Sequence, residues 1–366
     1  MSVSALYVHE SVKDLPRVHH ILSKLTVSHQ IITDVRQAYA DIMKAPDPIV
    51  KGKSALILTR NKGTFLRPCP GTRGYTCCGY RVLRVGTYCT MDCSYCILQA
   101  YFHPPILQFF VNQEDLMAEL KSLFATRLIQ RIGTGEFTDS LIWDRWTDLS
   151  RVLVPTFSEQ SSCILELKTK TADVSALQGL RHNRKTLVAW SLNTPRVIET
   201  EERGSADLSA RLTAAVRCQE EGYPLAFHFD PMVIYEGCEA EYAAVVDRLF
   251  ASVNPENIVW ISLGAFRFQP ELKAIIRRRH PHSKLIYGEF IRGMDGKMRY
   301  FKPLRIRLYR EIACRIRQKA PEVTLYFCME DDEVWEKALG RIPPRGGGVK
   351  RMLDEAAIKK CGLKEG

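Results

Sequence analysis

Between residues 80 and 263 the chain repeats one pattern: a short apolar run, then a longer stretch in which apolar residues recur every three or four positions. The short runs are Tyr80–Val85, Leu128–Ile132, Cys163–Leu167, Thr186–Ser191, Leu225–Phe229 and Ile258–Leu263, and each has the length and content of a buried strand. Glu114–Phe124, Asp207–Glu221 and Glu239–Ala251 carry the helical period. Strands alternating with amphipathic helices predict an α/β fold with a parallel sheet, curled into an open barrel or left doubly wound. In either form the active site lies at the carboxyl ends of the strands.

The flanks are less regular. Residues 1–79 read as an N-terminal cap, with turn signals at Ala45-Pro-Asp-Pro48 and Cys69-Pro-Gly-Thr72. Residues 80–286 hold the alternating core. Residues 287–366 read as a basic C-terminal region with a strand at Val323–Phe327 and a helix at Asp332–Leu339. The stretch Pro343-Pro-Arg-Gly-Gly-Gly348 then breaks the chain before a short last helix.

Directly after the first strand comes Cys89-Thr-Met-Asp-Cys93-Ser-Tyr-Cys96. Three thiolates at these spacings can hold three irons of a four-iron cluster and leave the fourth iron open to a small molecule. A structural zinc site would need a fourth ligand close by, and His103, Cys77 and Cys78 fit no common zinc pattern. The start MSVSALYVHE lacks a secretory leader, so a disulfide framework is not expected and twelve cysteines point to the reducing cytoplasm. No apolar run approaches the length of a membrane span.

At 46% hydrophobic and 25% charged, the 366 residues have the composition of a soluble enzyme with a sizeable core. The net charge of +11 changes that picture, because it is concentrated. Residues 271–320 hold 15 Lys or Arg against 4 Asp or Glu. Arg277, Arg278, Arg279, Arg299, Lys302, Arg305 and Arg307 are the candidate phosphate contacts, with Tyr287, Phe290, Tyr300, Phe301 and Tyr309 interleaved as stacking faces. A solvated helix face is the competing reading of such a run.

Polar residues also gather where strands end. Arg131-Ile-Gly-Thr-Gly135-Glu136 follows the second strand and Glu166-Leu-Lys168 the third, while Ser191-Leu-Asn193 and His228-Phe-Asp230 follow the fourth and fifth. Singly each is as readily a loop; together they mark one mouth.

The C-x3-C-x2-C loop resembles the signature of the radical S-adenosylmethionine (SAM) superfamily, in which the open iron chelates SAM and reduction yields a 5′-deoxyadenosyl radical. Gly135-Glu136 resembles the element that holds SAM's amino group there. From Cys69 to Phe327 the chain resembles the spore photoproduct lyase family, through GTYCTMDCSYCILQAYF, ELKTKT, SLN, GYPLAFHFDP and ISLGAFRFQP. The resemblance implies a partial (β/α)6 barrel, and Cys89, Cys93 and Cys96 as cluster ligands. It implies SAM contacts at Lys168 and Ser191, with Thr138 near a third, and Gly135, Glu136 and Asp230 join them as candidates. It implies repair of a methylene-bridged thymine dimer in DNA, with an external electron donor such as flavodoxin or ferredoxin. Radical modification of RNA or of another DNA adduct is the alternative; a nucleic-acid-binding protein with a structural metal is a third reading.

Two departures stand out. Glu136 occupies the position of the family's hydrogen-donor cysteine, and Ile97 that of a tyrosine after the last cluster cysteine. A carboxylate does not readily give up a hydrogen atom. Cys77, Cys78 and Tyr95 are therefore candidates, beside Glu136 itself, for the catalytic step.

Overall fold

A computed structural model describes residues 3–71, 74–344 and 347–364. Thr72 of the expected turn, and Arg345 and Gly346 of the expected break, lie outside the described residues.

The alternating core is a curled sheet of seven parallel strands in chain order. They are β1 (Arg81–Leu83), β2 (Gln130–Gly133), β3 (Cys163–Thr169), β4 (Thr186–Ser191), β5 (Leu225–Met232), β6 (Ile258–Ala265) and β7 (Thr324–Phe327). Leu66–Pro68 pairs antiparallel on the outside of β1. All six residues of β4 are buried, as expected of a strand covered on both faces. The helix Gln113–Ala125 covers one face with Leu116, Leu120 and Leu123, a spacing that puts them on one stripe.

Sequence and structure agree on strand order and differ on strand ends. β3, β5 and β6 run two or three residues past their apolar runs, and the added residues include Lys168, Asp230 and Pro231. The hydrogen-bond ladder continues where apolarity stops. A pattern of hydrophobic positions cannot register that, because these residues face the mouth.

The flanks are more regular than their sequence implies. His29–Ile32, Ala5–His9, Ala55–Thr59 and Leu107–Phe110 form a second parallel sheet, and Gly86–Thr87 pairs antiparallel at its edge. Two of these strands come from beyond residue 80, so the expected boundary at 79 runs through a sheet. Gly86–Thr87 lies just before Cys89, which ties the cysteine loop to the N-terminal unit. At the other end, β7 completes the barrel sheet and the helix Gly348–Cys361 packs on it. The C-terminal region is thus part of the core. No helix among the described residues is long and apolar enough to cross a membrane.

Candidate active site at the barrel mouth

The cysteine loop is anchored on both sides. Tyr88 turns into it with a φ of 73°, and its N–H donates to the Phe137 carbonyl at 2.9 Å. Asp92–Cys93 pairs antiparallel with Glu202–Arg203, and Ser94 N–H donates to the Glu201 carbonyl at 2.8 Å. Cys89 and Cys93 are buried and Cys96 half-buried. Burial pushes the Cys89 thiol up to about 12 and the Cys93 thiol up as well. Such thiols become ligands when a cation replaces the proton, so a donor set of three sulfurs on one fixed loop fits an iron cluster. Among the described residues no three His, Cys, Asp or Glu groups are arranged to hold a single metal ion.

Several of the strand-end residues lie near one another, with Glu136, Glu166 and Asp230 grouped about Lys168. After β2, Gly135 packs so closely that a Cβ there would lie 2.8 Å from the Lys168 Cβ. The close approach sets Glu136 Oε2 3.8 Å from Lys168 Nζ. Burial would lower the Lys168 ammonium's pKa, but Glu136, Glu166 and Asp230 outweigh it and raise the value. Thr138 and Ser191 are buried beside this pair of strand ends.

A polar row crosses three strands. Glu166 Oε1 lies 3.1 Å from His228 Nε2, and His228 Nδ1 lies 2.7 Å from Ser262 Oγ. Burial acts to raise the Glu166 carboxyl, but His228 outweighs it and holds it below its ordinary value. Asp230 is met by both guanidinium nitrogens of Arg267 at 3.2 and 3.1 Å, and Arg267 Nη2 also reaches Cys328 Sγ at 3.5 Å. The Tyr80 hydroxyl is buried over the space a Gly133 side chain would fill and has no partner among the described residues. Apart from the buried Tyr80 hydroxyl, the strand ends thus carry a cation, carboxylates and hydroxyls, the donor and acceptor types a zwitterionic ligand requires.

The candidates for the catalytic step divide. Tyr95 is buried, its hydroxyl donating to Glu202 Oε1. Cys77 is exposed. A hydrogen bond from Cys78, helped by the Gly79 N–H at 3.4 Å and by Arg131, lowers the Cys77 thiol to about 5 against the opposing effect of burial. The same bond raises Cys78. The pair thus favours the thiolate at Cys77 and the thiol at Cys78, which makes Cys78 the better hydrogen-atom source of the two.

Cys69 and Cys328 were not singled out from the sequence. Burial pushes Cys69 up to about 12 and Cys328 to about 11, so both keep their hydrogen. Thr76 N–H donates to the Glu330 carbonyl at 3.2 Å, which brings the segment just before Tyr80 against the residues that follow β7. Arg267 could have been read from ISLGAFRFQP as a strand-end cation; nothing local marked Cys328.

The candidate nucleic-acid residues are corrected most. Arg279 pairs with Asp47 and Asp92, Arg299 with Asp295 and Arg305 with Glu330, each guanidinium at most 4% exposed. Tyr300 and Tyr309 are buried. Lys302 bridges Asp331 and Glu333, and Arg307, though exposed, pairs with Glu239. Arg277 and Arg278 are exposed on the helix Pro270–Arg279, with Tyr287 also exposed just beyond it.

The family model described as spore photoproduct lyase matches residues 74–325. The chain belongs to the spore photoproduct lyase family. It is 29% identical over 209 residues to the spore photoproduct lyase of Bacillus subtilis, covering 56% of this chain and 61% of that enzyme. It is 24% identical over 255 residues to the enzyme of Clostridium acetobutylicum, covering 69% and 72%. The match thus spans less than two thirds of the Bacillus protein. Among solved structures, a cysteine-to-alanine mutant of spore photoproduct lyase superposes with a TM-score of 0.80 at 22% identity, over 89% of this chain and 99% of that one. A double mutant with bound AdoMet and dinucleoside spore photoproduct gives 0.77 at 21%, over 89% and 98%. These likenesses carry the fold, and the expected α/β open barrel is borne out.

Proposed function

We propose that this chain is a radical SAM enzyme that repairs spore photoproduct, or a closely related thymine lesion, in DNA. One observation supports the reading: in a member of this family, the three-cysteine loop follows β1 and is bonded through Tyr88 to Phe137, next to Glu136, which pairs with Lys168 at the end of β3. Cys89, Cys93 and Cys96 would ligate a four-iron cluster, and reduction by an external donor would let the bound cluster cleave SAM to methionine and a 5′-deoxyadenosyl radical.

The chain's own residues orient and exclude. Lys168 would meet SAM's carboxylate, its positive charge favoured by the surrounding acids. Gly135 and Glu136 would take the amino group, and Thr138 and Ser191 would offer hydroxyls. The Asp230–Arg267 pair fixes one wall of the mouth and leaves Asp230 less free for the cofactor than Glu136. A lesion inside a duplex must leave the stack to enter, which costs least where stacking is already damaged. Arg277 and Arg278, exposed on their helix, would offset that cost through phosphates.

The hydrogen atom needed by the repaired thymine must come from somewhere other than residue 136. By the sequence resemblance Glu136 takes the place of the family's donor cysteine, and it is paired with Lys168. The protonated thiols of Cys78, Cys69 and Cys328 are the sources the site offers. The missing cysteine also favours the second reading, a different DNA adduct or RNA as substrate.

The test uses anaerobically reconstituted protein, SAM, dithionite and an oligonucleotide carrying one spore photoproduct, followed by mass spectrometry. Restored thymines with 5′-deoxyadenosine support repair. Deoxyadenosine without restored thymines moves the substrate to another adduct or to RNA. Neither product, with the cluster verified, overturns the proposal.

A further inference from the structure

Two buried side chains from outside the cysteine loop hold the backbone carbonyls of all three cysteines. Lys53 Nζ donates to the carbonyl of Cys89 at 3.3 Å and to that of Met91. Gln99 Nε2 donates to the carbonyls of Cys93 and Ser94 at 3.0 Å each and of Cys96 at 3.3 Å. Each is 1% exposed.

The two clamps are joined. Lys53 Nζ lies 3.7 Å from Asp92, inside the loop. Arg279 Nη2 donates to both Asp92 oxygens at 3.0 and 3.2 Å, its Nη1 donates to Gln99 Oε1, and its Nε reaches Asp47 at 2.9 Å. Lys53 leads into a strand of the N-terminal sheet, Gln99 lies on the short helix Leu98–Tyr101, and Arg279 ends the helix Pro270–Arg279. Three separate elements thus converge on one eight-residue loop.

Burying an ammonium and a guanidinium is costly unless each is paired and hydrogen-bonded. Here the pairing falls on the loop itself. A core that needed only packing would place apolar residues at 53 and 99. The amide of Gln99 is also used at both ends: its nitrogen serves three carbonyls and its oxygen receives Arg279, so its orientation is set.

We infer that Lys53 and Gln99, coupled through Asp92 and Arg279, are positioning residues that hold Cys89, Cys93 and Cys96 in one ligating geometry, and that Lys53 favours the reduced form of the group they hold. The second half follows from charge: reduction adds an electron, and a buried cation nearby stabilises it. The inference rests on the reading that the loop carries a four-iron cluster.

Full-length protein would be reconstituted anaerobically as wild type, Lys53→Met, Lys53→Arg, Gln99→Leu and Cys93→Ala. The readouts are iron and sulfide content, the rate of cluster loss to a chelator, the midpoint potential from a titration followed by electron paramagnetic resonance, and thermal unfolding by circular dichroism. Partners behind metal ligands are typically worth roughly ten- to a hundredfold in retention. Gln99→Leu and Lys53→Met should lose the cluster faster by about that factor. Lys53→Met should also shift the midpoint to more negative potential, and Lys53→Arg should restore it.

Wild-type retention and potential in both Lys53→Met and Gln99→Leu would overturn the inference. If Lys53→Met does not fold, Gln99→Leu and the potential of Lys53→Arg decide. Wild-type protein that holds no more iron than Cys93→Ala would overturn the cluster reading beneath it, a different result from clamps that prove idle.

Discussion

The cysteine loop and the basic segment 271–320 are each dense in one kind of polar group, and the fold treats them in opposite ways. Three cysteines within eight residues stay together at the barrel mouth, held by the elements around them. The arginines of 271–320 scatter: Arg305 is buried against Glu330 while Arg307, two residues on in the same helix, is exposed. A helix turns about 100° per residue, so a charge run along it reaches several faces. A short loop has no such freedom. Spacing in a loop therefore predicts a site, whereas charge density predicts only an amount of charge.

The sharpest attack on this contrast is on the loop. Cys93→Ala should abolish both the iron–sulfur chromophore and 5′-deoxyadenosine formation, because two thiolates cannot hold three irons. Retention of the chromophore in that variant would mean the loop is not the cluster site.

Next comes the basic segment, where the two kinds of arginine should separate. Arg305→Ala leaves Glu330 buried with its Tyr309 bond at 2.8 Å but no cation, and breaking such a pair costs about 3–5 kcal/mol. Arg277→Ala and Arg278→Ala should stay within about 0.5 kcal/mol in stability, as exposed changes do. They should instead weaken DNA binding and flatten its salt dependence by roughly one unit of slope for each phosphate no longer neutralised. Urea melts and binding at two salt concentrations make the comparison. Arg277 or Arg278 variants with unchanged binding would place the DNA surface elsewhere.

How much was legible follows from the same physics. Six strands in order, the mouth and the loop could be read because burial imposes a period and the loop has fixed spacing. The fate of Arg279 and Arg305 was not, because Asp47 lies 232 residues and Glu330 25 residues from its partner, and Arg299, though only four residues from Asp295, is buried by tertiary packing. Lys53 and Gln99 were invisible for a related reason: a lysine and a glutamine have no signature until the carbonyls they hold are in place. Cys328 needed the seventh strand to bring it beside Arg267.

A smaller effect tests the mouth. Lys168→Met should raise the KM for SAM by roughly ten- to a hundredfold, the worth of one charged hydrogen bond of about 1.5–3 kcal/mol. Glu136→Gln should do less, since Glu166 and Asp230 still favour the charge on Lys168. If Lys168→Met leaves KM unchanged while lowering stability, the Glu136 pair at 3.8 Å is structural rather than part of the cofactor site.

The smallest effect concerns a single proton. Alkylation follows the thiolate fraction, so an ordinary cysteine, with a pKa of 9.0, reacts faster as pH rises from about 6 to about 8. Cys77, lowered to about 5 chiefly by the hydrogen bond from Cys78, is already ionised across that window and should give a nearly flat profile. Below about pH 5 its rate should fall as the thiolate takes up a proton. Cys78→Ala removes the bond and should return Cys77 toward the rising profile, which separates this cause from simple exposure. A rising profile in the wild-type protein would give Cys77 back its S–H and return it to the set of hydrogen donors. A flat one leaves that role to Cys78, Cys69 and Cys328, the thiols that burial keeps protonated.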